Sequence, residues 1–183
     1  MRRFVCAAIL VAALMFPAAA QEFGWNKIQY EGFDFEVLTT EHFSIYHYNR
    51  AREATERAAR SLERWYERYS DLLDISFETR QPIIIYADHP DFRQTNILAG
   101  LIPQSVGGVT ESLGTRIILP LTGIFAQDDH VLGHELVHAF YFRSGRGRGT
   151  PPLWFIEGLS EYLSLGYSDA ETAMWLRDAV LND

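Results

Sequence analysis

Between Phe33 and Tyr48 hydrophobic and polar positions alternate, most clearly in Glu36-Val37-Leu38 and Phe43-Ser44-Ile45-Tyr46. A period of two predicts one or two half-buried strands there. From Arg50 to Leu73 the period lengthens: Leu62, Trp65, Tyr66, Tyr69, Leu72 and Leu73 make one stripe, and Glu53-Arg57 and Glu56-Arg60 are spaced to pair off it. That predicts a long helix with an aromatic inner face. Pro82-Ile83-Ile84-Ile85-Tyr86 is an unbroken apolar run and predicts a buried strand, while Gly108-Val109-Thr110-Glu111 and Thr115-Arg116-Ile117-Ile118-Leu119 predict a strand pair around Gly114. Three more helices are predicted: Asp128 to Phe142, capped by Asp128 and Asp129; Pro151-Pro152 to Leu165; and Asp169 to Leu181. Apart from the long helix, the strands precede the helices, an order that makes an α+β chain.

The helix from Asp128 contains His134-Glu135-Leu136-Val137-His138, surrounded by Val131, Leu132, Phe140 and Tyr141. Four residues are slightly more than one helical turn and rise about 6 Å, so both histidines project from one face and can bind a single ion. Glu135, about 100° around the helix, can reach a water on that ion without binding it. A catalytic metal of this kind takes three protein ligands and leaves a fourth position to water. Glu157 is the candidate third ligand, and Glu161 shares its helix face, with Trp154, Phe155, Ile156, Leu159 and Leu163 expected to wrap both carboxylates. His130 continues the four-residue spacing but would lie about 12 Å along the helix from His138, too far to share an ion with it. It reads as a helix-start histidine beside Asp128 and Asp129. His42, His47 and His89 lack ligand spacing and read as ordinary surface or half-buried residues.

His134-Glu135-x-x-His138, eighteen residues, then Glu157 inside Trp154-Phe155-Ile156-Glu157-Gly158-Leu159-Ser160-Glu161-Tyr162 resembles the gluzincin zinc metallopeptidases. The likeness is to bacterial peptidase MA-like domains and, more distantly, to aminopeptidase-type members with W-x-x-E-G. Asn26 to Tyr30, Thr40 to Tyr46, Ile83 to Phe92 and Ala173 to Asp178 look like exported members whose peptidase domain precedes Tol-type β-propeller repeats. The resemblance implies a zincin-like fold, a mixed β-sheet with one helix that carries the histidines and a following helix that carries the third ligand. It implies one Zn2+ on His134, His138 and Glu157, with Glu135 as general base and Glu161 orienting a histidine ligand. A peptide or protein substrate would lie along a sheet edge at Gly107, Gly108 and Val109. The alternative is a zinc-binding, non-catalytic interaction module attached to a β-propeller. An oxyanion donor is expected too, and Tyr141, Tyr162 and Tyr167 are available with no spacing to select one.

Residues 1–20 read as a signal peptide: Arg2 and Arg3 ahead of an apolar Phe4 to Phe16, then Ala18-Ala19-Ala20 before a cut at Gln21. Export to the periplasm or the exterior follows, and residues 21–183 read as one metallopeptidase-like domain, the N-terminal part of a longer protein. The single cysteine, Cys6, falls in the signal, so packing and a metal would have to hold the mature domain without disulfides. Losing Arg2 and Arg3 takes the net charge from −8 to −10, which argues against nucleic acid as a partner because phosphate neutralisation needs a basic surface. The mature chain has no apolar run long enough to span a membrane. Its one basic cluster, Arg143, Arg146 and Arg148 among glycines, reads as a mobile connector between the two site helices.

Overall fold

The structure, a computed structural model, describes residues 27, 29–98, 100–111, 116–144, 151–166 and 168–182. The expected signal peptide over residues 1–20, Gly114, Arg146, Arg148 and Tyr167 lie outside the described residues. Strands β1 (Glu36–Thr39) and β2 (Phe43–His47) pair antiparallel, with Val37 opposite Tyr46. A short 3-10 turn at Asn49–Ala51 leads into helix α1 (Arg52–Leu73), the long helix of the aromatic stripe. Because α1 carries the chain back across the sheet, β3 (Gln81–Tyr86) lies parallel to β2. The one-turn helix α2 (His89–Phe92) follows, then β4 (Val109–Thr110) and β5 (Ile117–Pro120). β5 is parallel to β3 and antiparallel to β4, so the mixed sheet has the order β1-β2-β3-β5-β4 with β4 at one edge.

β5 is buried along its whole length, while β2 and β3 bury the face toward the helices and leave Ile84 half-buried and Tyr46 exposed on the other. The run Pro82 to Tyr86 is thus a buried strand on one face and a partly covered one on the other. Phe43, Ile45, Ile83, Ile85, Ile117 and Leu119 face the helices, while Tyr86 and Ile118 pack with Tyr48, Phe92 and Ile102 on the other side. Helix α3 (Phe125–Arg143) lies beside α1 in the helical layer. Its placement depends on Gly133, where an added Cβ would stand 2.8 Å from the Trp65 ring. The indole of Trp65 also donates to the Asp129 carbonyl at 3.1 Å, and Arg64 pairs with the Asp129 carboxylate. A helical glycine that costs about 1 kcal/mol of propensity therefore lets α1 approach the helix that carries the histidines.

Several local expectations are corrected. α3 begins at Phe125, and its N-cap, Ile124, receives no side-chain cap. Asp128 instead accepts from the backbone N–H and the hydroxyl of Thr122, each at 2.7 Å, satisfying the turn that feeds the helix, and Asp129 is taken by Arg64. In helix α4 (Leu153–Leu165) Trp154 is 74% exposed and Phe155 47%. Among the described elements α4 packs chiefly against α3, so one stripe of Ile156, Ser160 and Leu163, with Leu159 partly covered, is buried and the aromatic pair faces outward. Arg143 is no mobile connector: it closes α3, donates to Gln81 Oε1 at 2.8 Å and lies over the Phe77 ring. Helix α5 (Ala170–Asn182) starts where Asp169 accepts from the Thr172 N–H. No helix among the described residues is long and apolar enough to cross a membrane.

Candidate metal centre

The i, i+4 spacing within α3 sets His134 and His138 on one face, and α4 crosses that face with its carboxylates. His134 Nε2 and His138 Nε2 are 3.1 Å apart, and Glu157 Oε2 is 3.2 Å from the first and 3.6 Å from the second. Around an ion bonded at roughly 2.1 Å, tetrahedral ligand atoms lie about 3.4 Å from one another. The three donor atoms are thus spaced for one shared metal ion as they stand, a group of two imidazoles and one carboxylate. Burial and the neighbouring His134 hold His138 below the usual histidine range, which keeps the neutral, metal-binding form of its ring.

Glu161 lies one turn beyond Glu157 on α4 and reaches the far side of the same ring, with Oε1 3.1 Å from His134 Nδ1. Its other oxygen, Oε2, is 3.1 Å from His130 Nε2. Four residues forward on α4 thus correspond to four residues backward on α3, so the two helices run antiparallel across the site. His130, expected to sit with the helix-start aspartates, is instead in the second turn of α3 and faces α4. His130, His134 and Glu161 also form a group whose ligand atoms are close enough together to hold an ion.

Glu135 points from the other flank of α3 toward the sheet edge and is buried. Its Oε2 accepts from the Thr110 hydroxyl at 2.6 Å, and the same hydroxyl is 3.0 Å from the Glu135 carbonyl. Burial pushes the Glu135 carboxyl up to about 7; the Thr110 hydrogen bond works against that shift and the nearby Glu157 charge adds to it. Gly108 abuts the same carboxylate, for an added Cβ would meet Glu135 Cγ and Oε1 at 2.9 Å. Nothing local in the sequence marks Thr110 as a partner of the carboxylate. The signal is tertiary, since β4 and α3 meet only in the folded chain.

An open cleft of about 1040 Å³ runs over these groups, with Gly107, Gly108 and Val109 on one wall and Tyr141, Leu153 and Ile156 among the residues of the other. The expected edge residues are therefore at the site. Glu111 donates to the carbonyl of Arg116, directly opposite, at 2.9 Å, continuing the β4–β5 register. By the alternation of an antiparallel ladder, Val109 also turns its backbone groups toward β5, while Gly108 and Thr110 turn theirs to the free edge. Of the three candidate oxyanion donors, Tyr141 lines the cleft and Tyr162, on α4, does not. His42 is elsewhere, bonded to Glu63 at 2.6 Å and stacked on Tyr66, and His47 and His89 belong to neither metal-spaced group.

Comparison with protein-family models, with curated proteins and with solved structures finds no match to this chain. The functional reading rests on the residues themselves.

Proposed function

We propose that the protein is an exported zinc-dependent peptidase of the gluzincin type. The observation that carries this is the convergence of His134 Nε2, His138 Nε2 and Glu157 Oε2 at tetrahedral spacing, with the buried Glu135 carboxylate beside them. Two imidazoles and one carboxylate are a donor set suited to a catalytic zinc with an open fourth position. When bound, the ion supplies a Lewis acid for the scissile carbonyl and an acidified water as nucleophile. Glu135, whose carboxyl is pushed up to about 7, is poised to take the proton of that water and return it to the leaving amine. The Thr110 hydroxyl occupies Glu135 Oε2 and leaves Oε1 for proton transfer. The free backbone groups of Gly108 and Thr110 receive an extended peptide as an added strand, and Val109 lies between them on the cleft wall.

A zincin-like arrangement is supported by the edge strand beside the histidine helix and by the third ligand on the next helix. The same reading takes residues 1–20 as a signal peptide for export to the periplasm or the exterior, and the exported proteins that the chain resembles carry β-propeller repeats after the domain. A non-catalytic zinc module is disfavoured by Glu135: a buried carboxylate raised in pKa is a cost that a purely structural site has no reason to carry.

The test is elemental analysis of the purified protein together with hydrolysis of a generic protein substrate, with and without chelator. About one zinc per chain, lost in Glu157→Ala, and chelator-sensitive cleavage abolished in a zinc-loaded Glu135→Gln variant are expected. Cleavage that survives both the chelator and Glu135→Gln would remove the reading.

A further inference from the structure

His130 belongs to neither the three converging ligands nor the base, yet it is bonded to the remaining oxygen of Glu161, the carboxylate that touches the back of His134. Glu161 Oε1 faces His134 Nδ1 and Glu161 Oε2 faces His130 Nε2, both at 3.1 Å. The Glu161 side chain is 45% exposed. A glutamate that open to water has several rotamers within reach, and ordering it costs side-chain entropy that one hydrogen bond offsets poorly. Two imidazole donors one helical turn apart on α3, one for each oxygen, leave the carboxylate a single orientation.

We propose that His130 is a positioning residue of the metal centre. By donating Nε2–H to Glu161 it clamps that carboxylate against His134 Nδ1, and so keeps the His134 ring turned with Nε2 toward His138 and Glu157. The clamp also sets the tautomer: a His134 that donates from Nδ1 to Glu161 presents a lone pair at Nε2, the form a metal requires. The proposal rests on the metal reading above and extends it to a residue that the spacing of the motif leaves out.

The group His130, His134 and Glu161 is metal-spaced as well, and filling both groups at once would make His134 a bridge between two ions. An ion on Nε2 and a second ion on Nδ1 would require a doubly deprotonated ring. With the first site filled, Nδ1 would keep its proton, and Glu161 Oε1, 3.1 Å away, is the atom placed to accept it.

The experiment is zinc titration of the full chain against a chromophoric chelator, with elemental analysis, for wild type, His130→Ala, His130→Gln, Glu161→Ala and the double variant His130→Ala/Glu161→Ala. One zinc per chain is expected throughout, bound about 10-fold more weakly in His130→Ala. His130→Gln, whose side-chain amide can donate to Glu161, should recover most of that loss. In the Glu161→Ala background, removing His130 should change the affinity no further. Unchanged affinity in His130→Ala overturns the clamp alone, and so does an equal loss with or without Glu161, which would make His130 a packing residue of α3. Two zinc ions per chain, the second lost in His130→Ala, overturns it in favour of a second metal site. A wild type that binds no zinc removes the metal centre and the clamp together.

Discussion

Thr110, on a strand of two residues, donates its hydroxyl to the carboxylate of Glu135, twenty-five positions later on α3, at 2.6 Å. The bond joins the sheet edge proposed to hold substrate to the group proposed to move the proton. It also has a cost: the hydroxyl has one proton, and the Glu135 carbonyl at 3.0 Å competes for it. Thr110→Val should therefore leave zinc content unchanged and lower kcat by roughly 10- to 100-fold through a misplaced base. Thr110→Ser, which keeps the hydroxyl, should retain most of the activity. Equal losses in the two variants would point to packing of the strand instead.

Glu135→Gln should stabilise the metal-free protein while removing its activity. The folded-state carboxyl lies near 7 against an ordinary 4.5, so the folded chain binds this proton more tightly than the unfolded chain does. The stability of the protonated form is fully present below about pH 4.5 and is lost as pH rises through about 7. At about 1.4 kcal/mol for each pH unit between those values, the variant should gain up to about 3 kcal/mol over wild type above pH 7 and little below pH 4.5. Thermal melts of the chelated proteins across that range read the difference directly. Curves that stay parallel would show that Glu135 is not buried as described.

Gly108→Ala should impair hydrolysis without loss of metal, since its Cβ would press on Glu135 Cγ and Oε1 at 2.9 Å. At Gly107 the nearest atom to an added Cβ is Val131 Cγ2 at 3.3 Å, which does not touch the carboxylate. Gly107→Ala should be the milder change, by roughly 10-fold in kcat/KM. Comparing zinc content and kcat/KM of the pair settles the contrast, and an equal effect at both positions would contradict it.

Gly133→Ala and Gly158→Ala should move stability in opposite directions. The first places a methyl 2.8 Å from the Trp65 ring and should destabilise by about 1–3 kcal/mol through overpacking of α1 on α3. The second has nothing within 4 Å in helix α4 and should stabilise by about 0.5–1 kcal/mol through helix propensity. Chemical denaturation of both variants checks the pair, and a stabilised Gly133→Ala would mean that α1 is free to retreat.

Much of the site is legible because its geometry is local. Two histidines four apart on a helix share a face whatever surrounds them, and Glu157 and Glu161 share a face of α4 for the same reason. The strands and the long helix declare themselves through periods of 2 and 3.6, and Pro82 to Tyr86 through a short apolar run rich in β-branched residues after a proline. The approximate place of the edge strand also follows from its glycines and β-branched residues.

What local periods cannot encode is which face of one element meets which face of another. The antiparallel crossing of α4 over α3 decides that Glu161 spans His130 and His134, which turns a supposed helix-start histidine into a neighbour of the candidate metal centre. The packing of α4 chiefly against α3 leaves Trp154 and Phe155 exposed although their composition suggests burial. The approach of β4 to α3 decides that a threonine holds the Glu135 carboxylate. The chain's own spacing thus determined which residues can bind a metal. The long-range packing of α1, α4 and β4 on α3 decided how those residues are held, because hydrogen-bond partners, burial and pKa depend on atoms that sequence distance does not bring together.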